Sequence, residues 1–414
     1  MAKNETISKS NIESWAPFFF VLWLIYAMNS ILQWYSFGVI FRVIAFVGIV
    51  FTSFSARPKI IVTREKSMLV FFVFLYYLWV FIKQDHFLAF LSVTMTFLPF
   101  ALIIFWPQEV LYKCYRLFRF LVLFFAIGSS IITILSLLGH SSGIPYFELP
   151  AQSSFHENEG DYYYMYLGIF PQLHRIGDMI PRACGMMQEP GHFSIVLGFI
   201  YLIDRYTHQK INLLLFIAAI LAFSSTFFLI LLFTEWRKIF VCWKRTLKYL
   251  SITLLVLVIG YKMLPADLQE LVYYLAYERN LEQVVDSFQK SGSMNEALDE
   301  RSNSLGENVY NNISIGQKMV GNSSDDDMVL SDYRGFILRM GFIGLTLVII
   351  ISLLTLVDVP FELKISLALT LFMILMHRSW FFYEPFPYCM SFITCSLYKF
   401  KNSTPFSIAI KPRC

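Results

Sequence analysis

The sequence predicts an all-α polytopic membrane protein with about twelve helical spans and two large outer loops, and three observations predict it. The first is composition. Of 414 residues, 57% are hydrophobic and only 15% charged, and the mean hydropathy is +0.59. A soluble domain carries about a quarter charged residues, so this chain lacks the polar surface that water requires. The second is a series of apolar stretches, each near the roughly 18 residues that a membrane helix needs. The third is the placement of basic residues between those stretches.

Spans are expected near 16–35, 37–54, 67–83, 86–106, 118–138, 190–204, 249–264, 335–357, 364–377 and 386–400. The stretch from Ile211 to Trp236 is long for one span and short for two. Ser224, Ser225 and Thr226 interrupt it, and it reads as a tight hairpin. Residues 1–15 are polar with no cleavable signal pattern, so the first apolar stretch is expected to be retained. Basic residues crowd Arg57/Lys59/Arg64/Lys66, Lys113/Arg116/Arg119, Arg205/Lys210, Arg237/Lys238/Lys244/Arg245/Lys248 and the C-terminal tail. Placing all of them in the cytoplasm gives both termini inside, and the hairpin makes the parity work. The divisions are then N-terminal spans over 1–138, a first large outer loop over 139–189 and central spans over 190–264. A second large outer loop over 265–334 and C-terminal spans with a cytoplasmic tail over 335–414 complete the chain. Loops of this length are uncommon unless functional or disordered. The six cysteines are scattered, which excludes a disulfide framework or a paired-cysteine zinc site.

Arginine on the outer side opposes the insertion bias, yet Arg175, Arg182, Arg279, Arg301, Arg334, Arg339 and Arg378 all fall in the outer loops or at outer ends of spans. A guanidinium grips phosphate or carboxylate with two parallel hydrogen bonds. The set therefore points to an anionic, diphosphate-bearing ligand at the outer membrane surface. The competing reading is pairing with Glu148, Glu157, Glu189, Asp332 or lipid headgroups. The sharpest local feature is the run from Pro181 to Phe193, PRACGMMQEPGHF, where the first loop returns to the membrane. Pro190 suits the first position of a helix, which puts Glu189 near its N-cap, with Arg182 across the same pocket. The free amides of such a helix end also stabilise an anion. Here the competing reading is a capping carboxylate with a structural ion pair. His192 at this helix start is a weaker candidate, since packing is its commoner use. His174 and Arg175 beside Asp161-Tyr162-Tyr163-Tyr164 suggest sugar contact, or membrane anchoring. His377, Arg378, Trp380 and Glu384 cluster on one short outer turn. The Asp325–Asp327 run reads as a solvated acidic turn rather than a metal site.

The Arg-x-x-Gly-x-x-x-Glu-Pro-Gly run from Arg182 to Gly191 resembles the signature that closes the first large periplasmic loop of Wzy-type O-antigen polymerases. Ala222–Thr226 resembles their serine/threonine-rich interruption, and Arg301 the arginine of their second large loop. Gly341-Phe342-Ile343-Gly344 resembles the glycine pair at the start of the next span. His192 departs from the family, which tends to have a small residue there. Related O-antigen ligases carry a histidine shortly before the glycine pair; Leu330, Ser331 and Asp332 stand here instead, which favours the polymerase. The resemblance implies a GT-C-like membrane glycosyltransferase of the bacterial inner membrane. It would move a growing glycan from undecaprenyl diphosphate onto the next lipid-linked repeat unit, without metal or other cofactor. Arg182 and Arg301 would neutralise the diphosphate and Glu189 would orient the attacking hydroxyl. Arg175, His192, Arg279, Arg334, Arg339 and Arg378 would support substrate binding. The partners implied are undecaprenyl-diphosphate-linked oligosaccharides, the lipid bilayer and a chain-length regulator protein, with no nucleic acid. The alternatives are an O-antigen ligase or a lipid-linked oligosaccharide flippase. A transporter usually shows internal repeats and midplane charges, and neither is visible here.

Overall fold

Long apolar helices make up most of the protein. A computed structural model describes residues 15–28, 30–31, 38–55, 62–83, 87–140, 143–150, 162–174, 182–207, 209–222, 224–244, scattered positions between 248 and 273, 309–321 and 332–403. In chain order the helices are α1 (Trp15–Tyr26), α2 (Gly38–Ser55), α3 (Arg64–Ile82), α4 (Phe87–Ile103) and α5 (Gln108–Leu137). They continue with α6 (Pro190–Tyr206), α7 (Leu213–Leu221), α8 (Thr226–Val241), α9 (Ile315–Val320), α10 (Tyr333–Thr355), α11 (Phe361–His377) and α12 (Phe386–Ser403). Three of them, α3, α5 and α10, are long and apolar enough to cross a membrane. Large apolar side chains stand exposed along their outer faces, among them Phe71 and Phe74 on α3, Phe120 and Ile131 on α5, and Ile349 and Leu353 on α10. Apolar surface spread over several helices needs a non-aqueous neighbour.

The helix boundaries follow local chemistry. Thr63 caps α3 by accepting from the Lys66 amide at 3.3 Å, and Asn212 caps α7 by accepting from the Leu214 amide at 3.0 Å. Pro107 and Pro360 precede α5 and α11 in extended conformation. The Ile211–Trp236 stretch breaks at 222–225, as its serines predict, with Ser224 Oγ accepting from the Thr226 amide. Its first piece, α7, has nine residues and is about 14 Å long, too short to cross a hydrocarbon core of roughly 30 Å.

The all-α expectation needs one correction. The first large loop carries a four-stranded antiparallel sheet, β1 (Tyr146–Pro150), β2 (Tyr162–Tyr166), β3 (Phe170–His174) and β4 (Arg182–Ala183), in the order β1-β2-β3-β4. Strand alternation turns Tyr163, Met165 and Leu173 onto a small core with Cys184 and Ile31. On the other face, Gln172 reaches α5, accepting from Ser136 Oγ at 3.2 Å and donating to Thr133 Oγ1 at 2.9 Å. Phe170 sits over Gly128, where any Cβ would fall 2.1 Å from its ring.

A second difference concerns Gly341. It marks not the start of a span but a break inside α10, eight residues from its beginning, at φ +69°. Gly321, at φ +81°, lies against it backbone to backbone: a Cβ on Gly321 would stand 2.5 Å from the Arg339 carbonyl. The break and the turn at Gly321 present carbonyls to the end of α3. Trp79 Nε1 donates to Met340 O at 2.8 Å, and Lys83 Nζ donates to Gly321 O at 2.8 Å.

The chain divides into two units. One comprises residues 1–234, 315–327 and 331–408, and holds the hydrophobic core. The other comprises 235–314, 328–330 and 409–414, where Lys238 pairs with Glu235 at 2.7 Å. In the first unit α6 is buried at every position from His192 to Asp204, as a central rod must be. At its far end Asp204 accepts from Arg119 Nε at 2.8 Å and from Tyr115 OH at 2.7 Å, while Arg119 Nη2 reaches Lys210 O at 3.0 Å.

Candidate functional site

The Arg182–Gly191 run folds as a sequence of local necessities. Arg182 and Ala183 form the edge strand β4, and Gly185 then turns the chain at φ +63°, with a Cβ there 2.3 Å from the Phe193 ring. Met186 O accepts from Ser30 Oγ at 2.8 Å and from the Ile31 amide at 3.1 Å, which ties the segment to the chain after α1. Tyr163 OH, from β2, donates to Gln188 O. Glu189 is the N-cap of α6 and Pro190 its first residue, as expected.

The Glu189 carboxylate, however, makes no capping hydrogen bond to its own helix. It faces Arg378, whose Nη1 is 2.9 Å from Oε2, and His192, whose Nε2 is 3.6 Å away. Arg378 is the C-cap of α11, where the helix dipole favours a cation. Gly191 explains part of this geometry, because a Cβ there would stand 3.2 Å from Arg378 Nη2. The glycine of the Glu-Pro-Gly run thus leaves room for the guanidinium beside the first turn of α6. His192 is buried, with its ring 4.0 Å from that of Trp380 and 5.1 Å from that of Phe381, centre to centre.

The turn that follows Arg378 is a short 3₁₀ helix, Ser379–Tyr383, and it ties this pair to the end of the second large loop. Ser379 Oγ donates to the carbonyl of Asp332, the N-cap of α10. Asp332 receives the Arg334 amide at 2.9 Å and pairs with the Arg334 guanidinium at 2.7 Å. Burial raises the Asp332 carboxyl above its usual range, against the backbone hydrogen bonds from Arg334 and Gly335. The Tyr383 ring stacks on Phe336 at 5.2 Å and carries the Arg339 guanidinium 4.9 Å above its centre. Beneath the turn, the carbonyl of Phe382 accepts from Tyr76 OH at 2.8 Å and from Tyr388 OH at 3.2 Å.

Of the residues singled out from sequence, Glu189, His192 and Arg378 come into direct contact, and Trp380 packs on His192. Arg334 and Arg378 are ion-paired to carboxylates, so the pairing alternative holds for both. Arg182 is buried on β4 opposite Leu173, its partner in register. Arg339 stands exposed over Tyr383. Arg175, Arg279 and Arg301 lie outside the described residues. The tyrosines expected near sugar form a file on one side of the sheet, with Tyr164 4.6 Å from Tyr146 and 5.3 Å from Tyr162 between ring centres. Sequence reasoning missed Arg42. It sits inside α2, donates to Ser92 O at 3.0 Å and to Thr96 Oγ1, and lies within electrostatic reach of Glu384. Its signal was available, as a lone arginine within an apolar span is costly and usually has a use.

Chemically, the arrangement offers a guanidinium, Arg378, held by the Glu189 carboxylate, the place an anion would take, with the Trp380 ring against His192 beside it. Searches of family models, of curated proteins and of solved structures find no match to this chain.

Proposed function

We propose that the protein is a metal-independent, lipid-linked glycosyltransferase that polymerises an O-antigen-type polysaccharide at the outer face of a bacterial inner membrane. On this reading both termini are cytoplasmic and the 139–189 and 265–334 loops lie outside, with ten crossings and a hairpin at 211–236 that enters and returns on one side, since α7 is too short to cross alone. One observation carries the reading. Ion pair and turn join Glu189, at the end of the first loop, to Asp332 and Arg334, at the end of the second, through Arg378 and Ser379. A lipid diphosphate bound at that junction meets guanidiniums from separate elements, which is the preorganised positive field its departure needs.

The reaction then runs as follows. The diphosphate of the donor displaces Glu189 as the partner of Arg378, with Arg182 and Arg301 neutralising its remaining charge. Glu189, released, accepts a hydrogen bond from the acceptor hydroxyl. That oxygen attacks the anomeric carbon, the bond to the diphosphate breaks with its electron pair staying on the diphosphate oxygen, and the hydroxyl proton passes to Glu189. The new glycosidic bond leaves the longer glycan on the acceptor lipid.

The test is the surface-polysaccharide profile of a strain lacking the chain. Single repeat units capped on the lipid core are expected, whereas complete loss of surface glycan would mean a ligase or flippase. Arg182→Ala and Glu189→Ala should each abolish long chains while the protein still reaches the membrane, and Arg182→Lys should restore little. A normal chain-length ladder from either alanine variant overturns the assigned roles.

A further inference from the structure

One end of the helix bundle holds a cavity of about 690 Å³ that the reaction above does not use, and a volume of this order suits a small ligand. The starts of α3 and α5 and the ends of α10 and α12 line it, all within the first unit. The three helices long and apolar enough to cross a membrane, α3, α5 and α10, thus share this end, which sets the cavity at the level of lipid headgroups. On the topology proposed above, that end is cytoplasmic. Five charged side chains line the cavity. Lys66 of α3 and Lys399 of α12 are half-buried, whereas Glu65, Glu109 and Asp358 are exposed, so the cations lie deeper than the carboxylates. Lys399 Nζ stands 3.5 Å from the Asp358 carboxylate. The Lys66 ammonium has no hydrogen bond or ion pair among the described residues, and the like charge of Lys399 reaches it. Leu69, Phe105 and Phe392 add an apolar wall.

A half-buried ammonium carries three donors and no acceptor, and it is stabilised by an anion between it and its like-charged neighbour. The first turn of α5 adds to that demand, because Pro107 gives it no side-chain cap and its free amides suit phosphate oxygens. A wholly anionic ligand, however, would have to sit beside three carboxylates, and a wholly cationic one beside two lysines. A zwitterion with its phosphate deep and its ammonium shallow satisfies both signs. The apolar wall suits the hydrocarbon to which such a group is joined.

We propose that this cavity binds an ethanolamine phosphate group, carried by a membrane lipid, with the phosphate between Lys66 and Lys399 and the ammonium at Glu65, Glu109 and Asp358. Basic pockets between helices on the cytoplasmic side are places where lipid headgroups lodge, and here the outer carboxylates select among them. An ethanolamine ammonium donates three hydrogen bonds to carboxylates, a choline group donates none, and a glycerol headgroup brings no cation at all. The bound lipid would hold the starts of α3 and α5 to the end of α12.

The test reads lipid binding rather than sugar transfer, so its outcome is independent of the polymerase test. Full-length protein, stripped of lipid in detergent micelles, is titrated with phosphatidylethanolamine, phosphatidylglycerol or phosphatidylcholine of matched chains, and bound lipid is counted by native mass spectrometry. Saturable binding of phosphatidylethanolamine is expected, about tenfold or more tighter than of the other two, as loss of a charge-assisted contact implies. Lys66→Gln and Lys399→Gln should each weaken it about tenfold, while Lys66→Arg retains it. Glu109→Gln should move the preference toward phosphatidylglycerol. This exposed position keeps the proposal falsifiable should a lysine variant fail to fold. Titration with soluble phosphoethanolamine separates the sources: weaker binding than the lipid assigns the cavity to a headgroup, and equal binding assigns it to a soluble phosphate. Equal retention of the three lipids, unchanged affinity in both lysine variants, or an unmoved preference in Glu109→Gln overturns the proposal.

Discussion

Replacing Arg378 by glutamine removes the guanidinium from Glu189 while keeping most of the side-chain volume. The pair has an N–O separation of 2.9 Å, with the carboxylate 12% and the guanidinium 32% exposed. Breaking a fully buried pair costs about 3–5 kcal/mol, and a hydrogen bond to a charged group contributes about 1.5–3 kcal/mol. The partial exposure of Arg378 places Arg378→Gln in the lower range, about 1.5–3 kcal/mol. Glu189→Gln should cost a similar amount, and the double variant less than the sum, with a coupling of about 1–2 kcal/mol. Equilibrium unfolding in mixed detergent micelles reads all four corners of this cycle. Additivity within about 0.5 kcal/mol would refute the pairing, and with it the idea that Arg378 holds Glu189 until an anion displaces it. Gly191→Ala offers a milder perturbation of the same contact, since its methyl group would meet Arg378 Nη2 at 3.2 Å.

Gly341→Ala and Gly321→Ala should each lose about 2–5 kcal/mol in the same unfolding assay, because positive φ and backbone contact combine there. Gly143→Ala, with nothing within 4 Å of its Cβ, should stay within about 0.5 kcal/mol of the parent. Asp204→Ala removes the charged acceptor that Arg119 and Tyr115 share, leaving them only the carbonyls of Lys210 and Ile200, and should cost about 3–5 kcal/mol, read as reduced yield and earlier unfolding. The folded Glu384 carboxyl binds its proton more tightly than the unfolded one does, since its pKa is raised from 4.5 to about 7. Stability should therefore fall as pH rises from 4.5 to 7 and level off above, and Glu384→Gln should remove that slope in unfolding measured across pH.

The helices were legible because hydrophobic runs of membrane length leave few alternatives. Each expected span except 249–264, which lies mostly outside the described residues, overlaps a helix or a broken pair of helices, but the first falls short: α1 ends at Tyr26, and Ser30 already bridges to Met187. The sheet in the first loop was not read. Tyr162–Tyr166 is apolar or aromatic at every position, so its alternation of part-buried and buried residues is hidden in composition. Glu189 and Arg378 were both named as site residues, yet the sequence carries no sign that residues 189 apart in number form a pair. Arg42 was passed over because a span-length window averages one charge away. Gly341 was recognised as special, but its role depends on Gly321, and backbone contacts leave no trace in side-chain chemistry.

The two ends of α6 bear on how the protein works mechanically. Its first residue follows the Glu189 clasp on α11, and its last turn is bolted to α5 through Asp204, Arg119 and Tyr115. These fastenings are about 22 Å apart along one helix. A rod gripped at both ends behaves as a stator: sliding or tilting it by a few ångströms would break both grips together. Any movement at this end of the protein must then come from the elements packed around α6 rather than from α6 itself.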